Sequence, residues 1–268
     1  MAIAEVPDDL SRYYAEQGYG EITADMPAVF AEREQAKLAL LEPYMGGGAI
    51  TELGPGPGWF ARVASEHGYR PTAIEMDKQY CLRLRHLGVH AINSADPAAV
   101  LPTLEPSDAV VLWHVIEHLA EPWEVLRRCA ENLRPGGVLA VSTPNPSSLQ
   151  FRLLRGRWVH VDAPRHLQLI PLRTLVRRLA GHGLRHVRTV TDDPVGLELN
   201  RMGWEHMLRR HPTEPTASAL CVRASVCLQR LMEPIERRGV VGAGYTVLLT
   251  RPRSDNFRAR WAHGERAA

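Results

Sequence analysis

Short apolar runs alternate with amphipathic stretches through the middle of the chain, and this pattern predicts strands alternating with helices. The predicted strands share β-forming apolar residues and cover 49–53, 72–76, 91–94, 108–114 and 138–143. The predicted helices share apolar residues at helical spacing and cover 31–41, 59–67, 78–87 and 123–133. Strands that alternate with helices form a parallel sheet covered on both faces, so an α/β fold is expected.

The rhythm changes after the fifth predicted strand. An irregular, polar and basic stretch covers 146–168, and a helix is predicted over 172–180. Two more strands are predicted at 186–191 and 245–250, with a long and mainly helical stretch between them. The expected fold is therefore a Rossmann-like, doubly wound and mostly parallel sheet of seven strands. It carries a helical N-terminal cap and an insertion before the last strand.

Composition and charge narrow the functional classes. The formal net charge is +2 and no long run of one sign occurs, so neither nucleic acid nor an anionic membrane is expected as a partner. Arg223 and Arg230 interrupt the most apolar helical stretch, which is too broken to span a membrane. Four scattered cysteines fit reduced thiols, and the first residues lack a signal pattern, so a cytoplasmic protein is expected. A homodimer is left open.

The strongest candidate site is a glycine-rich turn directly after the first predicted strand. Gly54, Gly56 and Gly58 alternate there, as in a backbone that turns sharply and lets a ligand approach closely. In an open parallel sheet such a crevice lies at the carboxyl ends of the strands. The last glycine comes one residue earlier than in the dinucleotide-binding fingerprint. Glu52 precedes the turn, and its carboxylate suits an ammonium or sulfonium ligand and repels a pyrophosphate.

Two further acidic residues follow in the order that a nucleoside ligand requires. Glu75 ends the second predicted strand, where a carboxylate can accept hydrogen bonds from both ribose hydroxyls, and Met76 lies beside it. Asp96 follows the third strand, where it could accept a hydrogen bond from an adenine amino group. Asp77 and Asp96 are also good helix caps, which is the commoner role for such residues. Three features in this order favour a nucleoside site more than any one of them does.

At these residues the chain resembles the class I S-adenosylmethionine-dependent methyltransferases, in particular the small-molecule branch related to ubiquinone-biosynthesis methyltransferases. The matching segments are the glycine turn at 52–58, the fourth-strand segment at 113–122, and the fifth-strand entry and exit at 133–137 and 142–145. The resemblance implies S-adenosylmethionine as cofactor and S-adenosylhomocysteine as product. The residues that it implies for cofactor binding are Glu52, Gly54, Gly56, Gly58, Glu75, Met76, Asp96 and His114.

The pattern of elements also divides the chain into parts. Residues 1–45 are expected to form a helical lid, and 46–252 a methyltransferase domain whose cap insertions lie near 146–170 and 193–240. Residues 253–268 are expected to be a mobile tail. The fourth strand lacks the Asn/Asp-Pro-Pro-aromatic tetrapeptide typical of enzymes that methylate adenine or glutamine, which disfavours those acceptors.

The loop over 157–167 is the most informative part of the acceptor side. It follows the fifth strand and should return over the carboxyl ends of the sheet, and loops on a rigid scaffold often carry function. His166 is predicted as a general base, with His118 as a second catalytic candidate. The predicted substrate-binding residues are Tyr14, Asn145, Trp158, His160 and Arg165.

Simpler roles are open for several of these residues. Arg165 and Asp162 could pair to pin the loop, with His166 capping a helix. No metal is predicted, although a site built from His160, Asp162 and His166 is conceivable; its spacing matches no common closed ligand set.

The predicted reaction is methylation of a sugar or secondary-metabolite hydroxyl. Transfer to nitrogen or carbon is open, and so is a catalytically silent scaffold that binds the cofactor. A nicotinamide-dependent oxidoreductase is disfavoured by the glycine spacing and by Glu52.

Overall fold

The computed structural model describes residues 26, 28–208, 219–236 and 240–253. The strands form one sheet and are β1 Ala49–Leu53, β2 Arg70–Glu75, β3 His90–Asn93, β4 Ser107–Trp113, β5 Leu133–Pro144, β6 Arg185–Val190 and β7 Gly244–Thr250. The helices are α1 Ala28–Leu41, α2 Trp59–Glu66, α3 Lys78–His86, α4 Pro97–Val100, α5 Pro122–Asn132, α6 Leu149–Leu154, α7 Leu172–Gly181, α8 Pro194–Leu208 and α9 Ala219–Glu236.

The sheet topology confirms the predicted fold. The strand order is β3-β2-β1-β4-β5-β7-β6, and the pairs from β3 to β5 are parallel. β7 lies antiparallel between β5 and β6. The chain order reverses between β1 and β4, and ligands of open α/β sheets bind at such a switch point. The glycine turn after β1 lies at this place.

Alternate residues of the central strands pack on opposite faces of the sheet, as the pleat requires. Val110 and Leu112 of β4 face α5 and α7, whereas Ala109 and Val111 face α1 and α2. Every residue of β4 up to Leu112 is buried. This double cover explains why β4 is a continuous apolar run in the sequence.

Most predicted elements match within two residues, but 133–168 differs. β5 begins at Leu133, so Pro135 and the two following glycines lie inside a strand rather than a free turn. They remain paired because Gly136 N–H donates to the Arg251 carbonyl at 2.6 Å. α6 lies in the stretch predicted as irregular, and Ser148 caps it by accepting from Phe151 N–H at 3.0 Å.

Some predictions fall outside the described residues. Of the predicted lid over 1–45 the structure describes residues 26 and 28–45, which include α1, and Tyr14 lies outside. Arg253 is the described part of the predicted tail. Within the described segments, none of the helices combines the length and apolarity needed to cross a bilayer.

Candidate cofactor and acceptor site

The three glycines after β1 share a backbone conformation but differ in the space around their Cα atoms. Gly54, Gly56 and Gly58 have φ of 60°, 53° and 79°, a region that side chains disfavour. A Cβ on Gly54 would lie 2.8 Å from Val115 Cγ2, and one on Gly58 2.6 Å from Leu84 Cδ2, so both are required by packing. Among the described residues, a Cβ on Gly56 would meet nothing within 4 Å. Gly56 therefore faces open space that a ligand could fill.

Glu75 joins the end of β2 to the glycine turn. Its Oε2 accepts from Gly56 N–H at 3.0 Å and its Oε1 accepts from Asp77 N–H at 2.8 Å. Burial raises the pKa of Glu75, and the two backbone donors oppose that shift. The carboxylate predicted for the ribose thus lies beside the open face of Gly56.

Glu52 is the buried acidic group under the turn. It is 2% exposed, and its Oε2 has no hydrogen-bond partner in the described part of the chain. Burial raises its pKa to about 8, while the charge of Lys37 opposes the rise. A buried polar atom without a partner is costly, so a cationic ligand would stabilise this carboxylate.

Two more of the predicted cofactor contacts, Met76 and Asp96, lie at the surface. Met76 is 61% exposed directly after β2. Asp96 Oδ1 accepts from Ala99 N–H at 3.1 Å and caps α4, as Asp77 caps α3. The capping roles are confirmed, and the adenine contact of Asp96 stays a prediction.

A buried glutamate organises the turn after β4. Glu117 is fully buried; its Oε2 accepts from Thr143 Oγ1 at 3.0 Å, and its Oε1 lies 3.3 Å from His114 Nδ1. Burial alone would raise the pKa of Glu117, but the facing imidazoles of His114, His118 and His166 together lower it to about 2. An ionised carboxylate is therefore held beneath a group of histidines.

The acceptor loop is tied directly to this turn. His118 Nδ1 donates to the Arg165 carbonyl at 3.0 Å, and Leu167 N–H donates to the Glu117 carbonyl at 2.8 Å. The rings of His118 and His166 meet edge to face with centroids 4.8 Å apart. Two histidines from distant parts of the chain are thereby brought together.

His166 is held in one tautomer. Its Nδ1 lies 2.8 Å from the His160 carbonyl, which can only accept, so Nδ1 carries the proton and Nε2 the lone pair of the neutral ring. Nε2 lies 3.9 Å from Asp162 Oδ2. Asp162 also forms an ion pair with Arg165, which confirms the pinning role left open for these two residues.

Three of the predicted substrate contacts have their polar atoms engaged inside the protein, so their contact with a substrate stays a prediction. Trp158 is 1% exposed and its indole N–H donates to Gln150 Oε1 at 3.1 Å. His160 is buried with Nε2 3.0 Å from the Leu199 carbonyl, and burial lowers its pKa to about 4. Asn145 donates to the Val240 and Gly242 carbonyls.

One group of potential metal ligands occurs among the described residues. Glu117, His118 and His166 place one ligand atom each within 4.8 Å of one another. The conceivable set of His160, Asp162 and His166 does not match this group, because His160 Nε2 faces the Leu199 carbonyl.

Comparison with known proteins identifies the family. Residues 25–189 match the family described as a methyltransferase domain. The chain belongs to this methyltransferase family. The ubiquinone biosynthesis O-methyltransferase of Caulobacter vibrioides is 32% identical over 105 residues, which cover 36% of this chain and 40% of that protein. The match thus spans less than half the length of this relative.

Solved structures share the fold of the methyltransferase. A SAM-dependent methyltransferase from Archaeoglobus fulgidus aligns with a TM-score of 0.57 at 19% identity, covering 90% of this chain and 100% of that one. Phosphoethanolamine N-methyltransferase 2 of Haemonchus contortus, solved with S-adenosyl-L-methionine, gives 0.55 at 16% identity, covering 83% and 53%. The predicted class I S-adenosylmethionine-dependent methyltransferase is confirmed.

The residues of this methyltransferase fit that cofactor. The open face of Gly56, the partnerless Oε2 of Glu52 and the buried carboxylate of Glu75 adjoin at one end of the sheet. The sequence interpretation missed Glu34 and Lys37 of α1, whose charges also act on Glu52. Their i,i+3 spacing on a predicted helix was the available signal, together with the rarity of lysine in this chain.

Proposed function

We propose that the methyltransferase transfers a methyl group to a hydroxyl oxygen of a small molecule, a sugar or secondary metabolite, with His166 as general base. The observation that carries the proposal is the fixed tautomer of His166, whose Nε2 lone pair adjoins the turn after β4. A hydroxyl is a poor nucleophile until its proton is removed, so a positioned imidazole is the group this reaction requires.

The bound cofactor supplies a methyl group on a positively charged sulfur, and the protein residues prepare the nucleophile. His166 Nε2 accepts the hydroxyl proton. The resulting imidazolium is stabilised by the ionised Glu117 and by Asp162 Oδ2 at 3.9 Å. Burial lowers the pKa of His118, which packs edge to face against His166.

The test compares His166→Asn with His182→Asn, a variant of an exposed histidine at the end of α7. Acceptors are found by mass spectrometry of hydroxylated compounds incubated with labelled methyl donor. We expect His166→Asn to lower turnover by about 10²–10⁴-fold with unchanged cofactor affinity, because only proton removal is lost. Full activity of His166→Asn on the acceptor would show that His166 is not the general base.

A metal-assisted transfer is the second candidate, favoured by the grouping of Glu117, His118 and His166. The two candidates differ in their response to chelation. A histidine base predicts full activity after exhaustive dialysis against EDTA, whereas a required cation predicts loss and recovery on adding back a divalent metal.

Other partners and acceptors follow from the same reasoning. Transfer to nitrogen or carbon is the alternative if amines or enols are methylated and His166→Asn stays active. A scaffold that binds the cofactor without turnover on any acceptor is the remaining one. We propose a cytoplasmic location, supported by four free cysteines. Whether the protein forms a homodimer is left open.

A further inference from the structure

The charges around the cofactor site do not balance for a zwitterionic ligand. Glu52 and Glu75 lie at the glycine turn, and α1 adds Glu34, which is 2% exposed. All three are acidic side chains, and a cationic ligand stabilises their ionised form. The methionine part of the cofactor carries an α-ammonium and an α-carboxylate, and buried carboxylates favour the first and repel the second. A cation is therefore needed beside them.

Lys37 of α1 is the cation whose charge acts on Glu52. Its Nζ lies 2.7 Å from Glu34 Oε2 and 5.1 Å from the centroid of the Trp113 ring. The side chain is 14% exposed, so it is enclosed but still accessible. Trp113 ends β4 and packs edge to face on Phe60 of α2, which fixes one wall for the lysine stem.

Lys37 can turn to a ligand without leaving Glu34 unpaired. Arg33 Nε donates to Glu34 Oε1 at 3.0 Å, so the carboxylate keeps a cationic partner when Lys37 moves. A flexible ammonium with three donors can also keep one hydrogen bond while offering another.

The other cation against the glycine turn is less suited. Arg83 Nε donates to the Pro57 carbonyl at 3.0 Å, and its guanidinium lies 4.5 Å over the Trp59 ring. Arg83 is therefore engaged by Pro57 and Trp59 on the α2 side of the turn.

We propose that Lys37 binds the α-carboxylate of the cofactor's methionine tail, while Glu52 receives the α-ammonium. α1 then completes the cofactor site instead of only covering the sheet. The inference rests on the family's cofactor and not on the proposed acceptor, so a failure of hydroxyl methylation would leave it intact.

The experiment measures binding by calorimetry with three ligands. S-adenosylmethionine carries the whole tail, decarboxylated S-adenosylmethionine keeps the ammonium alone, and 5′-methylthioadenosine lacks both charges. We expect Lys37→Met to weaken S-adenosylmethionine about 10- to 100-fold, the value of a charge-assisted hydrogen bond. The other two ligands should change by less than about threefold, because they lack the group that Lys37 binds.

The matched control is Lys78→Met, which removes the only other lysine of the chain, exposed at the start of α3. Lys78 follows the end of β2, where the predicted ribose carboxylate Glu75 lies, so the control should keep the affinity ratios of the three ligands. Three results with Lys37→Met would overturn the proposal. The affinity for S-adenosylmethionine could be unchanged, or the affinities for all three ligands could fall equally. The third is an equal fall in affinity for S-adenosylmethionine and decarboxylated S-adenosylmethionine, the two ligands that carry the ammonium. A loss specific to S-adenosylmethionine in Arg83→Met instead would assign the carboxylate to Arg83.

Discussion

At the scale of single residues, a glycine can be required for two different reasons, its backbone conformation or the close approach of a ligand. Gly56 in the glycine turn allows the two to be told apart. Gly56 and Gly68 both have positive φ, 53° and 83°, and a Cβ at either would meet nothing within 4 Å. Gly68 lies in the turn between α2 and β2. The two positions thus share the strain and differ in the surface that they face.

We predict that Gly56→Ala and Gly68→Ala each lower the free energy of unfolding by about 1–2 kcal/mol, because alanine is strained at positive φ. Gly56→Ala should in addition weaken S-adenosylhomocysteine at least about tenfold, since the methyl group occupies ligand space. Urea unfolding and calorimetry on both variants check this. Equal affinities in the two variants would show that no ligand approaches Gly56.

At the scale of elements, the cap is held by a chain of buried polar contacts. Gln150 of α6 donates to the Asn200 carbonyl of α8 at 2.8 Å and accepts from the Trp158 indole. Trp204 of α8 donates to Glu236 Oε1 of α9 at 3.2 Å. A Cβ on Gly203 would lie 1.8 Å from Gln150 Oε1, so α6 and α8 can approach this closely only at a glycine.

We predict that Gly203→Ala lowers the free energy of unfolding by about 1–3 kcal/mol, because Gln150 is buried and cannot move aside without losing its partners. Gly181→Ala at the end of α7 is the control, since a Cβ there would meet nothing within 4 Å. Denaturant unfolding of both variants measures the two free energies of unfolding. Gly203→Ala as stable as Gly181→Ala would mean that Gln150 does not constrain the helix pair.

Element packing also explains which predictions from sequence succeeded. β4 is covered on both faces and β1 leads into the glycine turn, so local patterns were enough to predict the central sheet and the sharp turn after β1. The cap was harder, because an aromatic residue in a basic loop has no local feature that distinguishes a substrate contact from a core residue. Trp158 is buried by packing with Leu169 and Ala243 and by its hydrogen bond to Gln150, which are contacts between distant parts of the chain. The pairing of His118 with His166 likewise depends on loop closure.

At the scale of the whole molecule, burial of acidic groups links stability to pH. Burial raises the pKa of Glu236 to about 7 from its ordinary 4.5, and its Oε2 has no hydrogen-bond partner in the described segments. The folded state therefore keeps a proton that the unfolded chain releases near pH 4.5. Stability from this group is complete below pH 4.5 and is lost as pH rises toward 7. Burial lowers the pKa of His118 and His160, which acts in the opposite direction at acidic pH.

Because these opposing groups cancel in part, the difference between a variant and the wild type isolates Glu236. Glu236→Gln cannot release the proton, so its free energy of unfolding should rise relative to wild type between pH 5 and 8, by about 1–3 kcal/mol. Urea unfolding at several pH values measures the difference. Glu105→Gln, at an exposed glutamate before β4, should show a difference that does not vary with pH. The same flat profile in Glu236→Gln would mean that Glu236 is ionised in the folded protein, and that the cap pairs its Oε2 with a cation.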